Sequence, residues 1–318
     1  MNQFLNSQEL FLLERYTSAE YFCELRDTWA QMVEHLENCL GRFMQNLPKD
    51  YRARSLPEQP DVAWGNRVIP NFRKTLQSLN SGYILLTHGD FEGLTCSWGP
   101  ESDFKGQMDY WSGWMSQADD NIYGELLSKA ITLAGNISTT EGAEWAPFQL
   151  AEYGDYLGPL NPPALWPKYR IQRNVSVATG KKLEQNGIYV PDVERSCAEF
   201  LCVRYETAPA AKVRVGMRPL LHPTTGEKYA EEPIVEERDC TWYLVERAPD
   251  ERDGVQTDPS SGVQHIRVPS GEPCPETGFY FTPAKTDSRR LFQKGEVMSS
   301  VDSAYGRTIW QWDSNQGS

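Results

Sequence analysis

Phe22, Leu25, Trp29, Met32, Leu36, Cys39 and Phe43 follow one another at gaps that alternate 3 and 4. Only an α-helix, at about 3.6 residues per turn, gathers such positions into one stripe. A helix with one apolar face about six turns long must bury that face against other elements. A helical layer is therefore imposed on the start of this chain. Thr17-Ser18-Ala19-Glu20 has capping-box spacing, with Thr17 as the cap and Glu20 reaching back. Pro48 stops the run. Asn6 and Glu9 offer a second capping pair for a short helix over 7–16.

The same reasoning extends over the first half. Residues 47–62, rich in Pro and charge, predict a loop. Helical spacing returns over 68–79 through Phe72 and Leu76, with Ser81-Gly82 as its stop. The apolar run 83–86 suits helix or strand equally, and residues 89–119 show little periodicity. Ile122, Leu126, Leu127, Ala130 and Leu133 predict a helix over 120–137 that ends at Gly135-Asn136.

Between 157 and 167 the chain holds four Pro and one Gly in eleven residues, and the pattern changes after it. Beyond this linker, short apolar runs separated by turns predict strands at 169–177, 187–190, 199–205, 212–215, 241–246, 264–268, 278–282 and 308–312. The expectation is an α+β protein, with a mainly helical domain at 1–156 and a mainly antiparallel β domain at 168–318. Inside the β half the chain repeats itself. Thr179-Gly180 returns as Ser270-Gly271, 187–190 as 278–281, and Phe200-Leu201 as Leu291-Phe292, always 91 residues on. Gly187 and Gly278 are expected to occupy tight turns at positive φ, where a side chain is costly.

Charge narrows the function. The net charge of −13 disfavours contact with a phosphate backbone and favours a basic partner. The N-terminus carries no basic, apolar leader pattern, and no run reaches the ~18 apolar residues of a membrane span, which predicts a soluble cytoplasmic chain. Seven Cys, irregularly spaced and without a Cys-x-x-Cys pair, fit free thiols in a reducing compartment.

No nucleophile elbow, phosphate loop, dinucleotide fingerprint or zinc-protease motif occurs, so no catalytic residue, cofactor or metal is expected. His88-Gly89-Asp90 after the apolar run is the one place where a hydrolase could hold a base beside a carboxylate. His35 falls opposite the apolar stripe and reads as solvated, while His222 and His265 sit in loops without a partner at metal-ligand spacing.

The candidate partner-binding residues lie in 90–125, where eight acids face Lys105 alone. Asp103, Asp109, Asp119 and Asp120 provide the charge, and Trp111 and Trp114 the aromatic anchors. The two Trp, three apart, would equally suit one face of a short helix packed inward. A second candidate is the acidic run Glu231, Glu232, Glu236, Glu237 and Asp239, which a solvated loop between strands also explains.

Cys274-Pro-Glu-Thr-Gly-Phe-Tyr-Phe-Thr-Pro283, Ser288-Arg-Arg, Lys294-Gly-Glu-Val-Met298 and Tyr305-Gly-Arg-Thr-Ile-Trp-Gln-Trp312 together resemble the C-terminal signature of bacterial immunity proteins. These belong to polymorphic-toxin and type VI secretion systems. Cys240-Thr-Trp-Tyr-Leu-Val-Glu-Arg-Ala-Pro249 and Gly187-Ile-Tyr-Val-Pro191 look like parts of the same pattern. The resemblance covers about residues 165–313 and the helical half less specifically. It implies a non-catalytic protein that binds and neutralises a cognate toxin, here one with a basic surface, such as a nuclease acting in the cytoplasm. A secretion adaptor that holds an effector without inhibiting it would carry the same binding face.

Overall fold

The computed structural model describes residues 5–163, 165–248, 267–282, 285, 288–301 and 308–313. Helices fill the first half and antiparallel strands the second, an α+β arrangement as the sequence predicts. The helices are α1 (Ser7–Tyr16), α2 (Ala19–Gln45), α3 (Pro60–Ala63), α4 (Ile69–Thr87), α5 (Trp98–Gln107) and α6 (Gln117–Glu141). The stripe on α2 is buried as expected: Phe22, Leu25, Trp29, Met32 and Leu36 are fully covered, and α4 and α6 lie against it.

Four local readings change. Ser18, not Thr17, caps α2 by accepting from the Tyr21 amide, while the Thr17 hydroxyl turns back to the Leu13 carbonyl and closes α1. Asn6 does cap α1, but Glu9 leaves the cap and accepts instead from the Ala198 amide across the molecule. Gly82 does not stop α4, which absorbs 83–86 and runs to Thr87. A Cβ at Gly82 would lie 2.6 Å from the Gly93 carbonyl oxygen, so this glycine serves a close approach of two segments. Asn136 is buried inside α6, where it donates to the Tyr21 hydroxyl and the Leu157 carbonyl, and the helix continues to Glu141.

The strands are β1 (Tyr169–Ala178), β2 (Gly187–Pro191), β3 (Glu199–Leu201), β4 (Ala211–Leu221), β5 (Lys228–Arg238), β6 (Thr241–Arg247), β7 (Arg267–Pro269), β8 (Gly278–Phe281), β9 (Arg290–Phe292) and β10 (Ile309–Trp312). They form two four-stranded sheets, ordered β1-β6-β2-β3 and β7-β10-β8-β9, and a separate β4-β5 ribbon. The 91-residue repeat is a repeat of structure. Gly187 pairs with Leu201 and Gly278 with Phe292, each exactly one repeat apart. The hydroxyls of Tyr189 and Tyr280 donate to the carbonyls of Gln185 and Glu276, and the indoles of Trp242 and Trp310 each donate to a loop carbonyl.

The glycine reading moves within the repeat. Gly187 and Gly278 are strand residues, and the positive-φ pair is Gly180 at 73° and Gly271 at 89°. At Gly187 a Cβ would fall 2.6 Å from Leu244 Cδ1, so space rather than φ excludes a side chain there. The two copies differ mainly between the hairpin and the last strand. Trp242 and Trp310 stand 68 residues apart, 23 fewer than the rest of the repeat, and the β4-β5 ribbon occupies the extra length in the first copy. Among the described residues the second copy has no counterpart to it.

The helical half and the first sheet meet across 157–167 through buried side chains. Val190, Ala198, Phe200, Cys202 and Val245 belong to the same apolar cluster as the α2 stripe. Arg204 reaches Glu141 at 2.7 Å, Arg214 grips Glu152 through both carboxylate oxygens at 2.7 and 2.9 Å, and Tyr169 donates to Glu14 at 2.8 Å. Among the described residues no helix is long and apolar enough to cross a membrane.

Candidate interaction site

The acidic, aromatic stretch does not act as one surface. Trp114 points inward, 9% exposed, with its ring edge-on to Trp64 and Phe43. Trp111, three residues earlier, is 54% exposed. The loop after α5 turns between them, so the two rings do not share a helix face. Trp64, fully buried, fixes that turn by donating from Nε1 to the Trp111 carbonyl at 2.9 Å.

Trp111 and Asp109 line a groove of about 870 Å³ with Asp50, Arg54, Leu56, Glu58 and Tyr110. Its far wall is the segment read from sequence as loop, which folds instead as consecutive short helical turns from Tyr51 to Val68. Leu56 is 63% exposed on that wall. The groove has an apolar ridge on each side, with Asp50, Glu58 and Asp109 set among Arg54 and Arg67 and Asp50 paired to Arg54, so its lining is apolar with mixed charge. The wall formed by Asp50, Arg54, Leu56, Glu58 and Arg67 is what sequence patterning missed, while Tyr110 belongs to the aromatic stretch 90–125. The available signal was Leu56-Pro57, the second of two Leu-Pro pairs in the segment, among charges that periodicity does not resolve.

The other acids have separate settings. Asp103 is half-buried and accepts from the Thr75 hydroxyl at 2.6 Å, and burial pushes its carboxyl above the usual range. Asp119 lies in the first turn of α6, where the Ser116 hydroxyl and then Arg42 hold its carboxyl below the usual range. Asp120 borders a different depression with Tyr21, Glu24 and Lys129. Glu231, Glu232, Glu236 and Glu237 lie in β5 and Asp239 just beyond it, so the run read as a loop is strand. The strand pairing is plain in Arg218–Glu232, a cross-strand ion pair. On the same ribbon Met217, Leu221, Tyr229, Ile234 and Val235 remain exposed.

His88 and Asp90 serve local ends: His88 Nδ1 lies 2.8 Å from the Ile84 carbonyl, and Asp90 accepts from the Glu92 amide. His222 Nδ1 accepts amides in the ribbon's turn, while His265 falls outside the described residues. His35 is not solvated. Its Nε2 lies 2.9 Å from the Asp119 carbonyl and 3.5 Å from Cys39 Sγ, and this trio is the grouping among the described residues able to hold a metal ion. All seven cysteines are free.

Two buried carboxylates at the junction of the halves had no sequence signal. Glu9 lines a cavity of about 650 Å³ with residues 190–198, and burial raises its pKa to about 7. Glu199, 2% exposed on β3, is raised to about 8 by burial, although Lys212 lies 3.8 Å away and opposes the shift. Glu199 Oε1 has no hydrogen-bond partner. Compared with protein-family models, curated proteins and solved structures, the chain matches none.

Proposed function

We propose that this chain is a non-catalytic binding protein, an immunity partner that neutralises a cognate toxin with a basic surface, the nuclease class fitting that description best. The observation that carries the reading is Trp111: its backbone carbonyl is held by Trp64 while its indole stays half in water, at the lip of a groove of mixed charge. Apolar area in water costs about 25 cal/mol per Å², which a partner surface would recover. A partly exposed aromatic at the edge of a groove is the kind of residue that dominates interface energies. The net charge of −13, with eight acids against Lys105 alone in 90–125, favours encounter with a cationic partner over nucleic acid. Seven free thiols suit a meeting in the reducing cytoplasm. The resemblance of residues 165–313 to immunity proteins points the same way.

The β4-β5 ribbon is a second contact in this reading. It is added to one copy of a repeat whose other copy forms its sheet without it, and it keeps five large apolar side chains in water. The base of the ribbon is anchored by buried Ala211 and Val213 and by Arg214 on Glu152, while its outer part stands as a two-stranded pair of the kind that is marginal in water and gains from a partner.

The gene neighbourhood is the first test: a toxin-domain gene directly upstream is expected, and its absence would count against the reading. Co-expression with that toxin then tests protection. Wild type is expected to restore growth, and Trp111→Asp with Asp109→Lys to lose protection at equal soluble level. A toxin that stays fully active when bound by the wild-type chain would make it an adaptor instead.

A further inference from the structure

We propose that His35, Cys39 and Asp119 form a binding site for a thiophilic divalent cation of the zinc class, with a fourth coordination position open. His35 and Cys39 stand four apart on α2, so their side chains leave the same helix face one turn apart. Asp119 comes from the first turn of α6, across the helix pair. Their donor atoms all lie within 4.8 Å of one another. His35 Nε2 is 3.5 Å from Cys39 Sγ and 4.0 Å from Asp119 Oδ1. A tetrahedral zinc with bonds of about 2.0–2.3 Å sets neighbouring donors about 3.3–3.6 Å apart. The imidazole–thiol spacing already matches, and the carboxylate needs a small rotamer adjustment.

A cation is already drawn to this spot. Arg42, one turn beyond Cys39, donates to Asp119 Oδ1 at 2.7 Å and to Cys39 Sγ at 3.3 Å. Its side chain is 57% exposed, so it can swing into water and yield both donors. Imidazole nitrogen, thiolate and carboxylate together favour zinc over magnesium or calcium, which take oxygen ligands. Binding must displace protons in balance. The Cys39 thiol, which burial holds up to about 11, gives its proton to solvent as the sulfur becomes a ligand. His35 Nε2 now lies 2.9 Å from the Asp119 carbonyl, an acceptor, so binding through its lone pair requires the ring proton to move to Nδ1 and that hydrogen bond to break. Each ion thus releases one proton and ties α2 to the N-terminus of α6, next to the loop that carries Trp111.

Cobalt(II) and zinc titrations of the full chain test this. Cobalt is expected to give tetrahedral visible bands and a thiolate charge-transfer band at one equivalent, both removed by zinc. Cys39→Ser is expected to abolish the charge-transfer band. His35→Gln and Asp119→Asn should weaken zinc at least tenfold, or about 1.4 kcal/mol. Arg42→Gln removes the competing guanidinium and should tighten zinc several-fold, a change no unrelated surface site would show. Melting curves without metal confirm that each variant is folded. Absence of a thiolate band in the wild-type chain, or zinc affinity unchanged in folded His35→Gln and Arg42→Gln, would overturn the site.

Discussion

Trp64 Nε1 donates to the backbone carbonyl of Trp111 at 2.9 Å, so a ring in the core sets the place of a ring in water. Trp114 packs on the same Trp64 from inside, with ring centroids 5.6 Å apart. The two candidate anchors are therefore separable by experiment. Trp114→Ala should cost ~3–5 kcal/mol of stability, as expected for a large core ring. Trp111→Ala should leave the melting temperature within a few degrees. Thermal melts of the two variants check this directly.

The buried carboxylates give a pH dependence with a definite sign. Glu9 and Glu199 have folded-state pKa values near 7 and 8, above the ordinary 4.5. Between about pH 4.5 and 8 the native state thus binds more protons than the unfolded chain, and stability from these groups falls as pH rises through that window. Melting temperature followed from pH 5 to 8.5 should decline, and Glu199→Gln should flatten the decline. A stability that rises with pH after correction for other groups would contradict the assignment.

Much of the helical layer was legible because its period is written in large apolar residues. The α2 stripe, the start of α1 and the positions of eight of the ten strands follow from spacing alone, and so does the repeat, whereas spacing does not show β5 or β9 as strands and Val203–Tyr205 is a helical turn. Legibility failed where contacts across the chain override a local signal. Gly82 looks like a stop until Gly93 is seen to press against it, and Glu9 looks like a cap partner until Ala198 takes its carboxylate. Half of the site was equally hidden. Trp111 and Asp109 were visible as composition, but their separation from Trp114, Asp103 and Asp119 depends on how the loop after α5 turns.

The duplication makes a prediction about glycine. Gly180 and Gly271 hold positive φ one repeat apart, so Gly180→Ala and Gly271→Ala should each cost ~1–2 kcal/mol. Gly187 has an ordinary strand conformation but no room, so Gly187→Val should cost ~1–3 kcal/mol through overpacking against Leu244. Denaturant unfolding of the three variants separates strain from crowding, since only crowding is relieved by adding Leu244→Ala.

The β4-β5 ribbon should be dispensable for folding. Replacing residues 216–234 with an Asn-Gly turn is expected to leave the far-ultraviolet circular dichroism of the helices intact and the melting temperature within several degrees. Among the described residues the second copy forms the same strand order without such a ribbon, which is the basis for this expectation. Collapse of the shortened chain would mean the ribbon is part of the core.

The proposed role turns on whether Trp111 is a partner anchor. The direct measurement is the affinity of the full chain for the purified product of any toxin-domain gene found beside its own, with wild type and Trp111→Ala compared by calorimetry and melting temperature recorded for both. The expected result is tight wild-type binding that weakens by ~2 kcal/mol or more in the folded variant, chiefly through faster dissociation. Equal affinity in a well-folded Trp111→Ala chain, or no binding by wild type, would contradict it.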